Sequence, residues 1–387
     1  MVRFVSADHV MFKECIEIFR PRSKRYDLDV SDSGHIGFIL LDFELTEEWK
    51  FEKFEIKPTI KVNLGSIYSA FIAPVVCLEP LESFNTHLFS LAVGSIVSFI
   101  VTRPVKTSRD SFFMFNLDTE EGKKERGMYF PIKTTGTGST NTTLTKQRID
   151  RFYNELKELV DILDKLPYEK YERFMQAIRL VNLAHINKRE EFSLSYYLLV
   201  SAIESIAQLA IPIKRAVDPN EEEWERLAEE KKVIKSLLNQ YKQLRDSGHQ
   251  LTKRFLTFIL EYCPIKDWSN HEHPSANFID TIRKEFNDSD EFFESLFDKK
   301  WNEIYPEDLK EKQLKKIIED TYRFRSKFTH EGGPTPHINP DSSERFFETV
   351  TVFDPNSSSL YTTKYVINHS FLSFITKIAI FNYIREV

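Results

Sequence analysis

The chain has 387 residues and a mass of 45.6 kDa, which is long for one hydrophobic core, so length alone predicts two or three domains. Its 41% hydrophobic and 29% charged residues, with 33 Phe, exclude a disordered chain, and a formal charge of −6 argues against a protein that coats nucleic acid through bulk charge. Cys15, Cys77 and Cys263 are odd in number and far apart, which excludes a disulfide framework or a paired zinc-knuckle spacing and predicts buried thiols in a reducing compartment.

Met1–Arg3 runs directly into mixed polar sequence, which predicts no secretory leader and a cytoplasmic address. From Arg3 to about Pro131 the texture is short β-type runs: Val10–Phe19, His35–Leu45, Phe51–Ile56, Thr59–Val62 and Gly127–Ile132. Ser31-Asp32-Ser33-Gly34 is a turn cluster. In His35–Leu45 strict alternation puts Ile36, Phe38 and Leu40 on one side, with a change of face signalled by Phe43 and Leu45 after Asp42. A β-sandwich or half-barrel is expected. The apolar stretch Leu88–Val101 carries Ser90, Gly94, Ser95 and Ser98 and falls short of the roughly 20 residues of a spanning helix, so it reads as core and no membrane partner is expected.

Thr134–Thr145 is rich in Gly, Ser, Thr and Asn and falls where the apolar period changes from two to 3.6. It reads as a linker, dividing the chain into a strand-rich region 1–133 and a helical region 146–387, an α+β arrangement. Its glycines lack the Lys-Ser/Thr pair of a phosphate loop. Ile149, Phe152, Leu156, Leu159 and Leu163 recur at helical spacing, and Phe174, Ile178 and Val181 continue it after Pro167. Ser193–Ala210 is apolar on most of its circumference, with Glu204 embedded in it. Glu221–Arg245 reads as one long helix with Trp224, Leu227, Ile234, Leu237 and Tyr241 on one stripe. Further helices are predicted over Leu251–Tyr262, Phe278–Phe286 and Glu291–Trp301. Another starts at Pro306-Glu307-Asp308 and ends at His330-Glu331-Gly332-Gly333-Pro334, where glycine suits the left-handed cap position. A hairpin around Asp354-Pro355-Asn356 and a C-terminal helix marked by Ile367, Phe371, Phe374, Ile378 and Phe381 complete the chain.

The chemistry concentrates in Thr321–Gly333, TYRFRSKFTHEGG, which places Arg323, Arg325, Ser326, Lys327 and His330 beside a helix end. Arg325 and His330 are five residues apart, about 140° around a continuous helix. They converge only if the helix ends near His330, or if a second copy supplies the opposing side chain. Cys263 with His271 and His273 offers three further possible metal ligands, but the histidines flank Glu272 beside Pro274 and a loop is the better reading. Lys310–Lys316 with Arg323 and Lys327 puts positive charge on the motif helix, either a phosphate track or a solvated face.

Arg325 followed after four residues by His330, with Tyr322, Ser326 and Gly332 around them, resembles the signature of the HEPN superfamily, and of its Apea-like group in particular. Ala177–Ile206, AIRLVNLAHINKREEFSLSYYLLVSAIESI, is similar to that group's pair of helices with an embedded acid, here Glu204. The resemblance implies an all-α HEPN-type bundle after the strand-rich region and a homodimer formed through the motif face. It also implies metal-independent ribonuclease activity with no cofactor, and a role in phage defence by growth arrest, with the N-terminal region sensing a phage-derived trigger. His330 is then the general acid or base and Arg325 holds the phosphate, with Ser326, Tyr322, Arg323, Lys327 and Glu204 supporting or contacting RNA. In the family the residue after the arginine is usually polar, often Asn or Asp, and is Ser326 here, and Glu331 stands before the usual glycine.

The same residues admit a structural account. A histidine in the last turn of a helix is favoured by the helix dipole, and Arg325, beside Leu314, Ile317, Phe324 and Phe328, can pair with Glu204. That leads to a catalytically silent dimerisation or binding module that recognises a protein or nucleotide. A third account is an adaptor or target of a nucleotidyltransferase, with which some HEPN proteins pair.

Overall fold

In a computed structural model, residues 8–21, 36–64, 69–79, 86–107, 119–129, 144–212, 218–274, 276, 311–339, 344–352 and 362–387 are described. The expected helices Phe278–Phe286 and Glu291–Trp301, the start at Pro306, the turns at Ser31–Gly34 and Asp354–Asn356, and all but Leu144 and Thr145 of the expected linker lie outside them.

The N-terminal region opens with a helix, α1 (Asp8–Phe19), where a strand was expected over Val10–Phe19. Ile16 and Ile18 mimic alternation, but the buried set Phe12, Cys15, Ile16 and Phe19 follows the helical i, i+3, i+4, i+7 spacing. Next come β1 (Ile36–Leu41), β2 (Trp49–Lys50), β3 (Phe54–Ile56), β4 (Ile60–Asn63) and β5 (Ser69–Cys77). A helix, α2 (Thr86–Val101), then leads to β6 (Lys106–Thr107). All the pairings are antiparallel: β5 lies against β1 with Leu41 opposite Phe71, and its other edge carries β4 and β3 end to end. β2 extends β3, and β6 extends β1.

The strands thus form one six-stranded sheet among the described residues, in place of the two facing layers of a sandwich. Helices supply the other layers. Ile39, Leu41, Phe43 and Leu45 join the main core beneath α2, whereas Phe38 and Leu40 meet Val62, Ala70 and Ile72 on the opposite face. That face is covered by α3 (Glu120–Gly127), whose Gly127 lies so close that a Cβ there would meet Leu64 and Ala70. This helix replaces the start of the strand expected over Gly127–Ile132; 130–132 lie outside the described residues.

α2 is apolar all round because it is buried all round, between the sheet and the helices α4 (Lys146–Lys165) and α5 (Tyr168–Asn187). Its serines fold back onto the backbone, Ser95 to the Leu91 carbonyl at 2.8 Å and Ser98 to the Arg103 carbonyl at 2.7 Å. The predicted helices follow: α5 pairs closely with α6 (Phe192–Ala210), and α6 contacts α8 (Lys232–Tyr262), α9 (Glu311–Glu331) and α10 (His369–Glu386). α6 is the one described helix long and apolar enough to cross a membrane by length and composition, and half of that window is buried among its neighbours.

The single helix expected over Glu221–Arg245 is two. α7 (Glu221–Glu230) ends at an extended Lys231 and folds back on the start of α8, so Trp224 meets Tyr241 edge to face at 5.3 Å across a hairpin. No glycine or proline marks this break. Strands β7 (Phe347–Val352) and β8 (Thr362–Ile367) pair antiparallel before α10, flanking the expected hairpin turn.

Candidate functional site

α9 positions the motif. Leu314, Ile317, Ile318, Thr321 and Tyr322 form its buried face, which the apolar spacing of the sequence dictates. Arg325 sits at the edge of that face, and Glu204 of α6 comes up beneath it with only 6% of its surface exposed. Arg325 Nε lies 3.1 Å from Glu204 Oε2, at ion-pair distance but off the line of a hydrogen bond. The guanidinium lies 5.7 Å from the Tyr197 ring centroid, and that ring packs against Phe328 at 5.2 Å.

Glu204 is a shared acceptor. Its Oε1 receives the Tyr322 hydroxyl at 3.3 Å and the Gln208 amide at 3.2 Å. Burial, followed by the negative charge of Glu204, pushes the Tyr322 phenol up to about 12, so Tyr322 stays a protonated donor to the carboxylate. A buried carboxylate needs such partners, and Glu204 acts as the orienting partner of an arginine rather than as a free base.

His330 is exposed in the last turn of α9. The helix runs unbroken through Glu331, the Gly332 N–H reaches the Phe328 carbonyl at 3.2 Å, and Gly332 takes a left-handed φ of 64°. Arg325 and His330 therefore remain about 140° apart on one helix, with half-buried Ser326 between them on its circumference. The helix thus ends one residue beyond His330, and that late stop does not bring the two side chains together.

The positive charges do gather. Lys312, Lys316, Arg323, Lys327 and His330 are all exposed, and at 100° per residue they fall within about 60° of one another, along about 27 Å of helix. Arg323 is held by Asp320 at 3.0 Å. This ridge lies on the side of α9 away from Glu204.

One cluster escaped the sequence reading. Ser195 Oγ lies 2.7 Å from His369 Nε2, whose ring centroid is 6.4 Å from that of His185 and which shares the Phe192 ring with His337, an arrangement that looks like a nucleophile beside a base. Yet Ser195 is fully buried and its one hydroxyl proton goes to the Ala184 carbonyl at 2.6 Å, so His369 Nε2 is the donor. Burial, then the charges of Lys188 and His185, holds the His369 imidazole well below its usual pKa and neutral. The cluster is a clasp: His337 Nε2 reaches the Ile367 carbonyl at 2.9 Å and the Thr335 N–H reaches Ser193 at 3.2 Å, fixing the segment after Gly332. Because Ser195 and His369 are 174 residues apart, no local signal announces them.

The candidate ligands Cys263 and His271 are separately occupied. Cys263 is buried, with its thiol pushed up by desolvation, and His271 is buried against Phe371 and Phe374. Among the described residues no group of three His, Cys, Asp or Glu side chains is placed to hold a metal ion. No protein-family model matches the chain, and neither the curated proteins nor the solved structures contain a detectable match.

Proposed function

We propose that this chain is a metal-independent endoribonuclease of the Apea-like HEPN type, cytoplasmic and acting in phage defence. The observation that carries the reading is the Glu204–Arg325 pair at the end of the motif helix: Glu204 and Tyr197 hold the guanidinium from one side, and about a quarter of the Arg325 side chain remains exposed. RNA contains its own nucleophile. The 2′-OH attacks the adjacent phosphorus, the bond to the 5′ oxygen breaks, one proton leaves the 2′ oxygen and one reaches the 5′ oxygen. The products are a 2′,3′-cyclic phosphate and a 5′-OH. His330 moves one of these protons through its imidazole, and Arg325 stabilises charge developing on the phosphate.

The 140° separation within one helix makes a two-chain site the natural form, with the motif face of a second copy bringing its own His330 towards Arg325. The ridge of Lys312, Lys316, Arg323 and Lys327 leads to His330 and suits the backbone of an RNA strand. A second reading, a silent binding module, is favoured by the same ion pair if Arg325 never leaves Glu204.

The test is cleavage of total cellular RNA by the purified chain in excess EDTA, with and without phage lysate, alongside His330→Ala, Arg325→Ala and Lys316→Glu/Lys327→Glu. Cleavage lost in the first two variants, with 2′,3′-cyclic phosphate ends in the unmodified reaction, supports the ribonuclease. The ridge variant should raise KM more than it lowers kcat. Intact RNA throughout sinks the ribonuclease and leaves the module.

A further inference from the structure

The face of α6 beneath Arg325 continues past Glu204 to a second arginine. Tyr197, Ser201, Glu204 and Gln208 follow one another at 4-3-4 spacing, so they share one side of the helix. Tyr197 and Glu204 both meet Arg325. Gln208, one turn on, has two neighbours: its amide donates to Glu204 at 3.2 Å, and its backbone carbonyl accepts from Nη2 of Arg254 in α8. The ring of Phe255, the residue after Arg254, lies 5.3 Å from that of Tyr322, which holds this stretch of α8 against the motif helix. Arg325 and Arg254 are thus anchored on α6 one turn apart, about 6 Å along its axis.

Along this stripe donors are left without acceptors. Among the described residues the one hydrogen bond of Arg254 goes to that carbonyl, and its Nε is buried with no acceptor. Ser201 Oγ, between Tyr197 and Glu204, is likewise buried without a partner, and Arg325 Nε meets Glu204 without a hydrogen bond. Arg254 also lacks a carboxylate among the described residues. Arg103, Arg151, Arg323 and Arg385 each have one, from Asp42, Glu272, Asp320 and Glu158, whereas burial alone acts on Arg254, lowering its pKa with no acid to offset it. The guanidinium keeps its charge regardless. A desolvated donor without an acceptor costs free energy, and a water would supply the acceptor but not the missing negative charge. An anion supplies both.

We infer that Arg325 and Arg254 bind neighbouring phosphates of one RNA strand, Arg325 the scissile one and Arg254 the next. The identity of the ligand rests on the ribonuclease reading. Glu204 balances only one of the two guanidinium charges, so the stripe carries a positive excess that attracts a polyanion, and planar guanidinium groups match phosphate oxygens with paired donors. One helical turn between the anchors is close to the step between phosphates of an extended strand. Because these contacts go to the backbone, they fix the strand's position over the motif without selecting a base. Arg254 also caps the last turn of α6, a structural role from which phosphate binding is separable by its dependence on salt.

The experiment is fluorescence anisotropy with a labelled 2′-O-methyl RNA strand, which lacks the nucleophile and stays intact, titrated with the full-length chain at salt from about 50 to 200 mM. Arg254→Gln and Arg254→Lys are compared with the unmodified chain, with circular dichroism confirming equal helix content at the working temperature. Arg254→Gln should raise Kd roughly tenfold and make the plot of log K against log salt shallower by about 0.7, one phosphate contact on a single strand. Arg254→Lys, which keeps the charge, should retain the slope. A strand that the unmodified chain does not bind, or a Kd and slope unchanged in Arg254→Gln, overturns the proposal and leaves Arg254 as a cap. Ordinary RNA cleaved with an unchanged KM by Arg254→Gln would remove this site and keep the ribonuclease; strand binding that depends on Arg254 while ordinary RNA stays intact would do the reverse.

Discussion

Glu204 shows how a single buried charge shapes the candidate site. Its carboxylate sits under Arg325, Tyr322 and Gln208 at once, so removing it strands a guanidinium and a buried phenol together. Glu204→Ala is expected to cost about 2–3 kcal/mol, below the usual figure for a broken buried pair because Arg325 is partly in water. Glu204→Gln, which retains an acceptor for Tyr322, should cost about 1 kcal/mol; urea midpoints of the two variants check the order.

His271 offers the opposite case, a polar ring in an aromatic nest. It packs between Phe346, Phe371 and Phe374, its Nε2 has no hydrogen-bond partner among the described residues, and burial, then the charge of Arg345, lowers its pKa to about 3. Below about pH 6.5 the unfolded chain takes up a proton here that the native state refuses, so stability falls as pH falls from 6.5 towards 3. His369 and His337, also lowered chiefly by burial, act in the same direction. His271→Phe should fill the same space and shrink the loss of stability between pH 7.5 and pH 5.0 by about 2 kcal/mol, measured by urea unfolding at both pH values.

Among the elements, α2 is the one on which the N-terminal packing turns, and Gly94 is why it can lie so close to the sheet. A Cβ at this position would run into Thr107 Cγ2, with Ile39 and Val105 at 3.5 Å. Alanine is the better helix former by about 1 kcal/mol, yet the clash with β6 outweighs it. Gly94→Ala should destabilise by a net of about 1–2 kcal/mol, visible as a lowered thermal midpoint. Elsewhere the elements were legible where one face of a helix is apolar, as in α4 and α5, whereas α10 is buried on nearly all sides and Ile367, expected in it, ends β8. They were misread where alternation and helical spacing coexist in a short run, as in α1. The break at Lys231 left no trace, because acidic residues end α7 and lysines begin α8, both opposite to what the helix dipole favours.

At the scale of the whole molecule, the strand-bearing and helical regions share one continuous hydrophobic core. Arg20, after α1, donates to the Leu163 carbonyl at 2.7 Å and the Leu166 carbonyl at 2.6 Å, closing the end of α4, and lies over the Tyr171 ring. The Tyr171 hydroxyl returns to the Ile16 carbonyl at 2.8 Å. On the far side, buried Lys377 of α10 reaches the Ile100 carbonyl at the end of α2 and Glu155 of α4, each at 2.6 Å. Such ties couple the two regions. Arg20→Ala should lower stability by about 2 kcal/mol, two lost charge-assisted bonds partly replaced by water, and unfolding followed by circular dichroism and by tryptophan fluorescence should remain a single coincident transition.

The sequence by itself determined the mixed α+β character, the apolar central helix with its embedded Glu204 and the motif helix ending in glycine, and it offered the pairing of Glu204 with Arg325 as one of two accounts. Each follows from local spacing or from the demand of a buried charge for a partner. Tertiary structure alone decided that helices, not a second sheet, cover the strands, that Ser195 and His369 meet, and that Arg325 and His330 stay on different sides of α9. Those outcomes depend on residues far apart in the chain competing for the same buried surface, which periodicity in any one segment does not encode.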